Sequence, residues 1–217
     1  MCPNGNADLT RNLILNAAIS IISKDGLDAL TAGRLINQAG ISKGGLYHHF
    51  RTMAEVESEV LELLTQNISL KISTYPTPAT KNEFLEVVEQ ELFECFIVNN
   101  EPARALFGFI SASANNKTIQ VLMRRLMDEI SLQRLQQLKA VSPGVAHVTL
   151  HNTVQIISTL QMGLMTRFFI AEDIVSLKSY WRGCRGMLEE LLGLAGQSIE
   201  QQGTIEIEGV TDILKYQ

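Results

Sequence analysis

The sequence predicts an all-α protein of about nine helices, a three-helix N-terminal domain over residues 1–53 followed by a larger helical domain over 54–217. Two observations lead to that class. Apolar residues recur at helical spacing along most of the 217-residue chain. The gaps between these runs carry cap and turn residues of the kind that start and stop helices.

From Leu9 to Lys24 the residues Ile14, Ala17, Ala18, Ile21 and Ile22 fall on one helix face, and Gly26 suits the left-handed position that follows a helix. Thr31 is a good N-cap for a second helix that turns Leu35, Ile36 and Ala39 inward and stops at Gly40. Ser42 then caps a short third helix through Leu46, Tyr47 and Phe50, with Ile41 in the position of a hydrophobic staple. The tight Ala39-Gly40-Ile41 connection forces helices two and three to cross steeply, as in a helix-turn-helix. In that motif the second helix enters the DNA major groove, so small residues in its first turn bring the backbone close to the duplex. Gly44 and Gly45 fit that need. Lys43 adds charge beside them, and Tyr47, His48 and Arg51 offer further donors to a sugar-phosphate backbone. A hairpin at Gly44-Gly45 is disfavoured, because the preceding residues show no alternation and the order Thr31, Gly40, Ser42 is one of helix caps.

Charge agrees when it is taken by segment. The net charge is -5, yet residues 1–53 hold five Lys/Arg against three Asp, a balance of +2 that leaves -7 for the remainder. Cys2, Cys95 and Cys184 are too few and too scattered for a disulfide framework or a metal knuckle. The N-terminus lacks the order of a signal peptide, and no apolar run is expected to be long enough to span a membrane. A cytoplasmic protein with no membrane partner is the expectation.

The stretches Arg11-x-x-Ile14-Leu15-x-Ala17-Ala18, Leu30-Thr31, Ala39-Gly40-Ile41-Ser42-Lys43-Gly44 and Leu46-Tyr47-His48-His49-Phe50 resemble, in order and spacing, the N-terminal domain of the TetR family of bacterial transcriptional repressors. The resemblance covers residues 9–60. It implies a helix-turn-helix DNA-binding domain followed by a helical ligand-binding and dimerisation domain, acting as a homodimer. It also implies a double-stranded DNA operator and a small-molecule effector as partners. By position, Thr31 resembles a phosphate-contacting residue, and the DNA-binding set becomes Thr31, Arg34, Ser42, Lys43, Gly44, Gly45, Tyr47, His48 and Arg51. The chain departs from the family pattern at Met53, where a lysine is common, and at Leu35-Ile36, where the family favours Ile-Ala.

Beyond Glu55 further helices are expected over 56–73, 83–99, 102–114, 118–140, 146–171 and 174–194, and the brief alternation at 204–208 suits a short strand, an added arm or a disordered tail. Flexible and aromatic apolar residues concentrate in the middle of this domain, and such side chains suit both cores and adaptable pockets. Phe93, Phe96, Phe107, Met123, Met127 and Met162 are the candidate ligand-binding residues, with Gln155, Thr159 or Asn116 as polar anchors. No charged residue is expected among them, which favours an uncharged or weakly polar effector. The last two helices are apolar around much of their circumference, so each must bury more than one side. Met165, Phe168, Trp181, Cys184, Met187, Leu188 and Leu191 are the candidate dimer interface, and a two-fold dimer reads a pseudo-palindromic operator.

Rival readings are weak. His147 and His151 stand i, i+4 but lack the glutamate of a zinc hydrolase, and Cys184 sits between Arg182 and Arg185. These residues leave room for a regulator that senses metal, redox state or a protein partner. With no nucleophile elbow, phosphate loop or spaced acid pair, the sequence predicts no catalytic residue, no metal site and no cofactor.

Overall fold

The computed structural model describes residues 5–98 and 100–194, and the 204–208 stretch expected as a strand, an arm or a disordered tail lies outside them. Among the described residues there are nine α-helices and no strand. Helix α1 runs Gly5–Asp25, α2 Ala32–Ala39, α3 Lys43–His49 and α4 Met53–Ser73. They are followed by α5 Lys81–Gln90, α6 Asn100–Ser113, α7 Lys117–Val141, α8 His147–Ala171 and α9 Ile174–Leu194. One turn of 3-10 helix, Leu27–Ala29, links α1 to α2. Between α5 and α6 the chain continues as a π-helix, Glu91–Val98, a rare geometry that tends to mark functional segments.

The expected caps form. Thr31 Oγ1 accepts from Arg34 N at 3.4 Å and Ser42 Oγ from Gly45 N at 3.0 Å. A cap not named from the sequence also forms, with Thr52 Oγ1 accepting from Glu55 N at 3.1 Å. Gly26 (φ 84°) and Gly40 (φ 65°) occupy backbone conformations that a side chain disfavours. Gly40 N–H closes α2 onto Ile36 O.

Two apolar cores hold the chain. The first joins Ile14, Ala18 and Ile22 of α1, Leu35, Leu46 and Phe50, and Val56, Val60 and Leu64 of α4 to Leu106 and Phe109 of α6 and to Met123 and Leu126 of α7. This core crosses the expected domain boundary at residue 53, because α4 and α6, which lie beyond it, both pack against α1. The second core gathers Phe84, Leu85, Val88 and Leu92 with Leu138, Leu150, Val154, Ile157, Leu177, Trp181 and Leu188.

One expectation is corrected here. Helix α8, His147–Ala171, is long and apolar enough to meet the length and composition of a membrane span, since Arg167 is the one Lys, Arg, Asp or Glu within it. Its Leu150, Val154, Ile157 and Leu164 are instead built into the second core.

Candidate functional site

Helix α3 is two turns long and is fixed from beneath by Leu46 and Phe50, both about 1% exposed. Its other side is open: Ser42, Lys43, Gly44, Tyr47, His48 and Arg51 are exposed, Tyr47 at 43%. The two glycines have different surroundings. A Cβ on Gly45 would lie 3.3 Å from Ser42 Oγ and press on the cap, whereas one on Gly44 would meet only ordinary contact at 3.9 Å. Nothing inside the fold therefore requires glycine at 44.

Thr31 and Arg34 lie beside this surface at the start of α2, both exposed. Arg34 forms an ion pair with Asp25, which reduces the charge it offers to a polyanion. Lys43 and Arg51 make no ion pair among the described residues. The Arg51 backbone N–H, one residue before the Thr52 cap, donates to Glu55 Oε2 at 2.6 Å, so the Glu55 side chain reaches back over the start of α4 in a variant of the capping box. Met53 begins α4 half-buried against the first core, so this position is used for packing.

A cavity of about 50 Å³ lies between α4, the π-helix, α6, α7 and α8, lined by Ile72, Phe96, Leu106, Met127, Ile130 and Met162, together with Met165, Ser158, Gln161 and Arg134. The sequence-predicted Phe96, Met127 and Met162 meet here. The others do not. Phe93 lines an open cleft of about 920 Å³ between α5, the π-helix and α9. Phe107 stacks edge-on against Phe169, with ring centroids 5.8 Å apart, and Met123 belongs to the first core. Gln155 and Thr159 are exposed on α8, where Gln155 Nε2 reaches Ser131 Oγ at 3.4 Å. Asn116 caps α7 through Thr118 N and Ile119 N.

The expectation of a cavity without charge is also corrected. Arg134 lines the wall and forms an ion pair with Glu91 of the π-helix, the two side chains being 5% and 3% exposed. Arg134 also reaches Ser158 Oγ at 3.4 Å, and Gln161 Nε2 donates to Val88 O at 3.1 Å. The signal was present in the sequence. Arg134 interrupts the apolar stripe Met123, Leu126, Ile130, Leu138 on α7, and Glu91 follows Phe84, Val87 and Val88 on the inner face of α5.

The predicted interface residues separate in the same way. Trp181 and Leu188 are each 1% exposed within the second core, and Met165, 3% exposed, lines the cavity. Phe168, Cys184 and Leu191 are half-buried against that core, while Met187 is 65% exposed. The outer face of α8 and α9 instead exposes other apolar residues, among them Val148, Ile156, Ile170, Val175 and Tyr180. His147 and His151 are exposed on α8. Burial pushes the Cys184 thiol up, the opposite of an activated thiolate.

Comparison with known proteins places this geometry in a class. Residues 14–60 match the model of the bacterial regulatory proteins of the tetR family. The HTH-type transcriptional regulator AcrR of Shigella flexneri is 34% identical over 62 residues, a match that spans 29% of each chain. BetI of Vibrio atlanticus is 22% identical across 70% of this chain and 78% of its own, and UidR of Escherichia coli K12 is 25% identical across 86% and 94%. In fold, the chain superposes on a TetR transcription regulator from Haloarcula marismortui with a TM-score of 0.71 at 15% identity, covering 86% of this chain and 98% of that one. A structure of the multidrug binding protein EbrR complexed with malachite green gives 0.63 at 13% identity, covering 83% and 96%. Residues 14–60 thus carry the helix-turn-helix of the tetR family, and the relatives and the shared fold support a DNA-binding transcriptional regulator of the TetR type.

Proposed function

We propose that the protein is a ligand-controlled repressor that binds a pseudo-palindromic operator as a homodimer and leaves it when a small, largely apolar effector enters the cavity beside Arg134. Residues 1–53 act as the DNA-binding domain, and 54–217 as the ligand-binding and dimerisation domain. One observation carries this reading. Helix α6 lines the cavity with Leu106 and, two residues on, seats Gly108 against Ile22 of α1 and the backbone of Leu27.

The cavity is too small for a drug-sized ligand, since binding pockets run to several hundred Å³. Occupation must therefore displace its walls, and Met127, Met162 and Met165 are the side chains best able to yield. An α6 pushed outward carries α1 and α3 with it and changes the separation of the two recognition helices in the dimer. The effector induces release only to the extent that it binds that altered spacing more tightly than the DNA-competent one. EbrR, a multidrug binding protein of the same fold, is known in complex with imidazole and with malachite green, which supports a ligand-responsive reading.

At the DNA, Lys43, Tyr47, His48, Thr31 and Arg51 contact the backbone and groove, and Gly44 lets α3 approach closely. A second copy docks on the outer face of α8 and α9. There Met187, Tyr180 and Val175 stand exposed, and Gly183 and Gly186 have open space at their Cβ positions, which allows close helix contact. Anisotropy titration against genomic fragments recovered by selection, with and without added candidate effectors, tests the proposal. Release of bound DNA by a compound that also raises the protein's thermal midpoint supports it, and failure to retain any fragment refutes it.

A further inference from the structure

We infer that the effector is an uncharged molecule with an apolar body and a single carbonyl-type head, an amide above all, held by Arg134 and Gln161. This rests on the reading of the α4–α8 cavity as the effector site. Seven of its lining side chains are carbon or thioether surfaces, from Ile72 to Met165, and only Arg134, Ser158 and Gln161 are polar. An apolar body with polarity at one end matches that division.

The chemistry of the head follows from what Arg134 already holds. A guanidinium has five N–H donors. Glu91 takes one on Nη2 and Ser158 Oγ another on Nη1, the hydrogen bonds Arg134 makes among the described residues. A ligand oxygen that accepts from the remaining donors completes the group without breaking the ion pair. Gln161 Nε2 is committed to Val88 O, which leaves its side-chain oxygen as an acceptor for an N–H on the ligand. An amide offers both an acceptor for Arg134 and a donor for Gln161 in one uncharged group.

Charge decides against the other heads. Glu91 balances Arg134, so the site is neutral as it stands. A carboxylate would bring a second anion to a cation already paired, and an ammonium would face the guanidinium directly. In either case a charge leaves water for a wall of Met, Leu and Ile without a counter-ion of its own, which is the unfavourable case for burial. A hydrocarbon enters freely but leaves the donors of Arg134 unanswered.

The test uses the full-length protein and four probes of similar size: phenylpropionamide, phenylpropionate, phenylpropylamine and butylbenzene. Their affinities are measured by calorimetry and checked by thermal shift. Phenylpropionamide is expected to bind at least about tenfold more tightly than either charged probe and more tightly than butylbenzene. Because Arg134→Met alone strands Glu91 and can unfold the protein, the diagnostic variant is the double replacement Glu91→Met/Arg134→Met, whose fold is verified by circular dichroism. It should still bind butylbenzene and lose its preference for the amide. Tightest binding of phenylpropionate, or an amide preference that survives the double replacement, overturns this inference and leaves the cavity as a ligand site. Binding of none of the four overturns both readings.

Discussion

Gly108 of α6 lies so close to Ile22 of α1 that a Cβ at this position would stand 3.1 Å from Ile22 Cγ2 and 3.6 Å from the Leu27 backbone nitrogen. This contact presses the helix that lines the cavity against the helix that carries the DNA-binding unit. Alanine at 108 gains helix propensity, which offsets part of the crowding, whereas valine adds bulk the seat has no room for. Gly108→Val is expected to cost about 1–3 kcal/mol of stability and to weaken DNA binding, although residue 108 touches no DNA. Denaturant unfolding and anisotropy on the same samples check it. Unchanged DNA affinity in a destabilised variant would separate α6 from the switch.

Gly44 and Gly45 allow a second, sharper comparison. Alanine at 44 has room within the fold and should stabilise α3 by up to about 1 kcal/mol, yet its methyl group stands between the helix and the duplex. Gly44→Ala is therefore expected to raise the thermal midpoint and lower DNA affinity. Ser42→Ala should lower both, losing about 1 kcal/mol with the cap that Gly45 N–H donates to. If Gly44→Ala binds DNA as well as the parent protein does, close approach is not the reason for that glycine.

The ion pair behind the cavity should show the asymmetry of buried charge. Arg134→Met alone leaves Glu91 enclosed without a partner and is expected to cost about 3–5 kcal/mol. Replacing both by methionine should come within about 1–2 kcal/mol of the parent, since similar volumes are filled and no charge is stranded. A double-mutant cycle by urea denaturation measures both, and equal losses in the single and double variants would contradict the account.

Glu57 of α4 borders a crevice of about 610 Å³ beneath the 3-10 turn, with Asp28 and Asp25 across it. Burial, and then the charge of Asp28, push its carboxyl above the usual range. A raised carboxyl pKa means that ionisation opposes folding, so its penalty is absent in acid and appears as the pH rises through the raised value. Glu57→Gln is thus expected to melt higher than the parent near neutral pH, with the difference closing on acidification. Thermal melts across that range check the sign, and a difference that grows in acid would refute the assignment.

The three-helix unit was legible because local chemistry determines it. Thr31, Ser42, Gly26 and Gly40 signal caps and stops through hydrogen bonds and backbone conformations that involve only near neighbours in the chain. Phe96, Met127 and Met162 could be anticipated as flexible apolar residues, but their meeting in one cavity depends on how α7 and α8 cross the π-helix. The same holds for Trp181 and Leu188, whose helix is apolar on more than one side. Spacing alone does not say which side faces the protomer and which a second copy. Arg134 was missed for a different reason. A charge on an apolar stripe was readable, but its partner Glu91 lies 43 residues away on a segment whose π geometry departs from the helical period.

The most direct test of the central claim is the salt dependence of DNA binding by the parent protein and by Lys43→Ala, measured by anisotropy on a fragment selected from the genome. The account predicts specific binding that weakens steeply with salt. It also predicts a uniform loss of affinity in Lys43→Ala, with the slope of log affinity against log salt reduced by about 1, as befits one lost phosphate contact. Binding no better than to random DNA, or a Lys43→Ala slope equal to that of the parent, would contradict it.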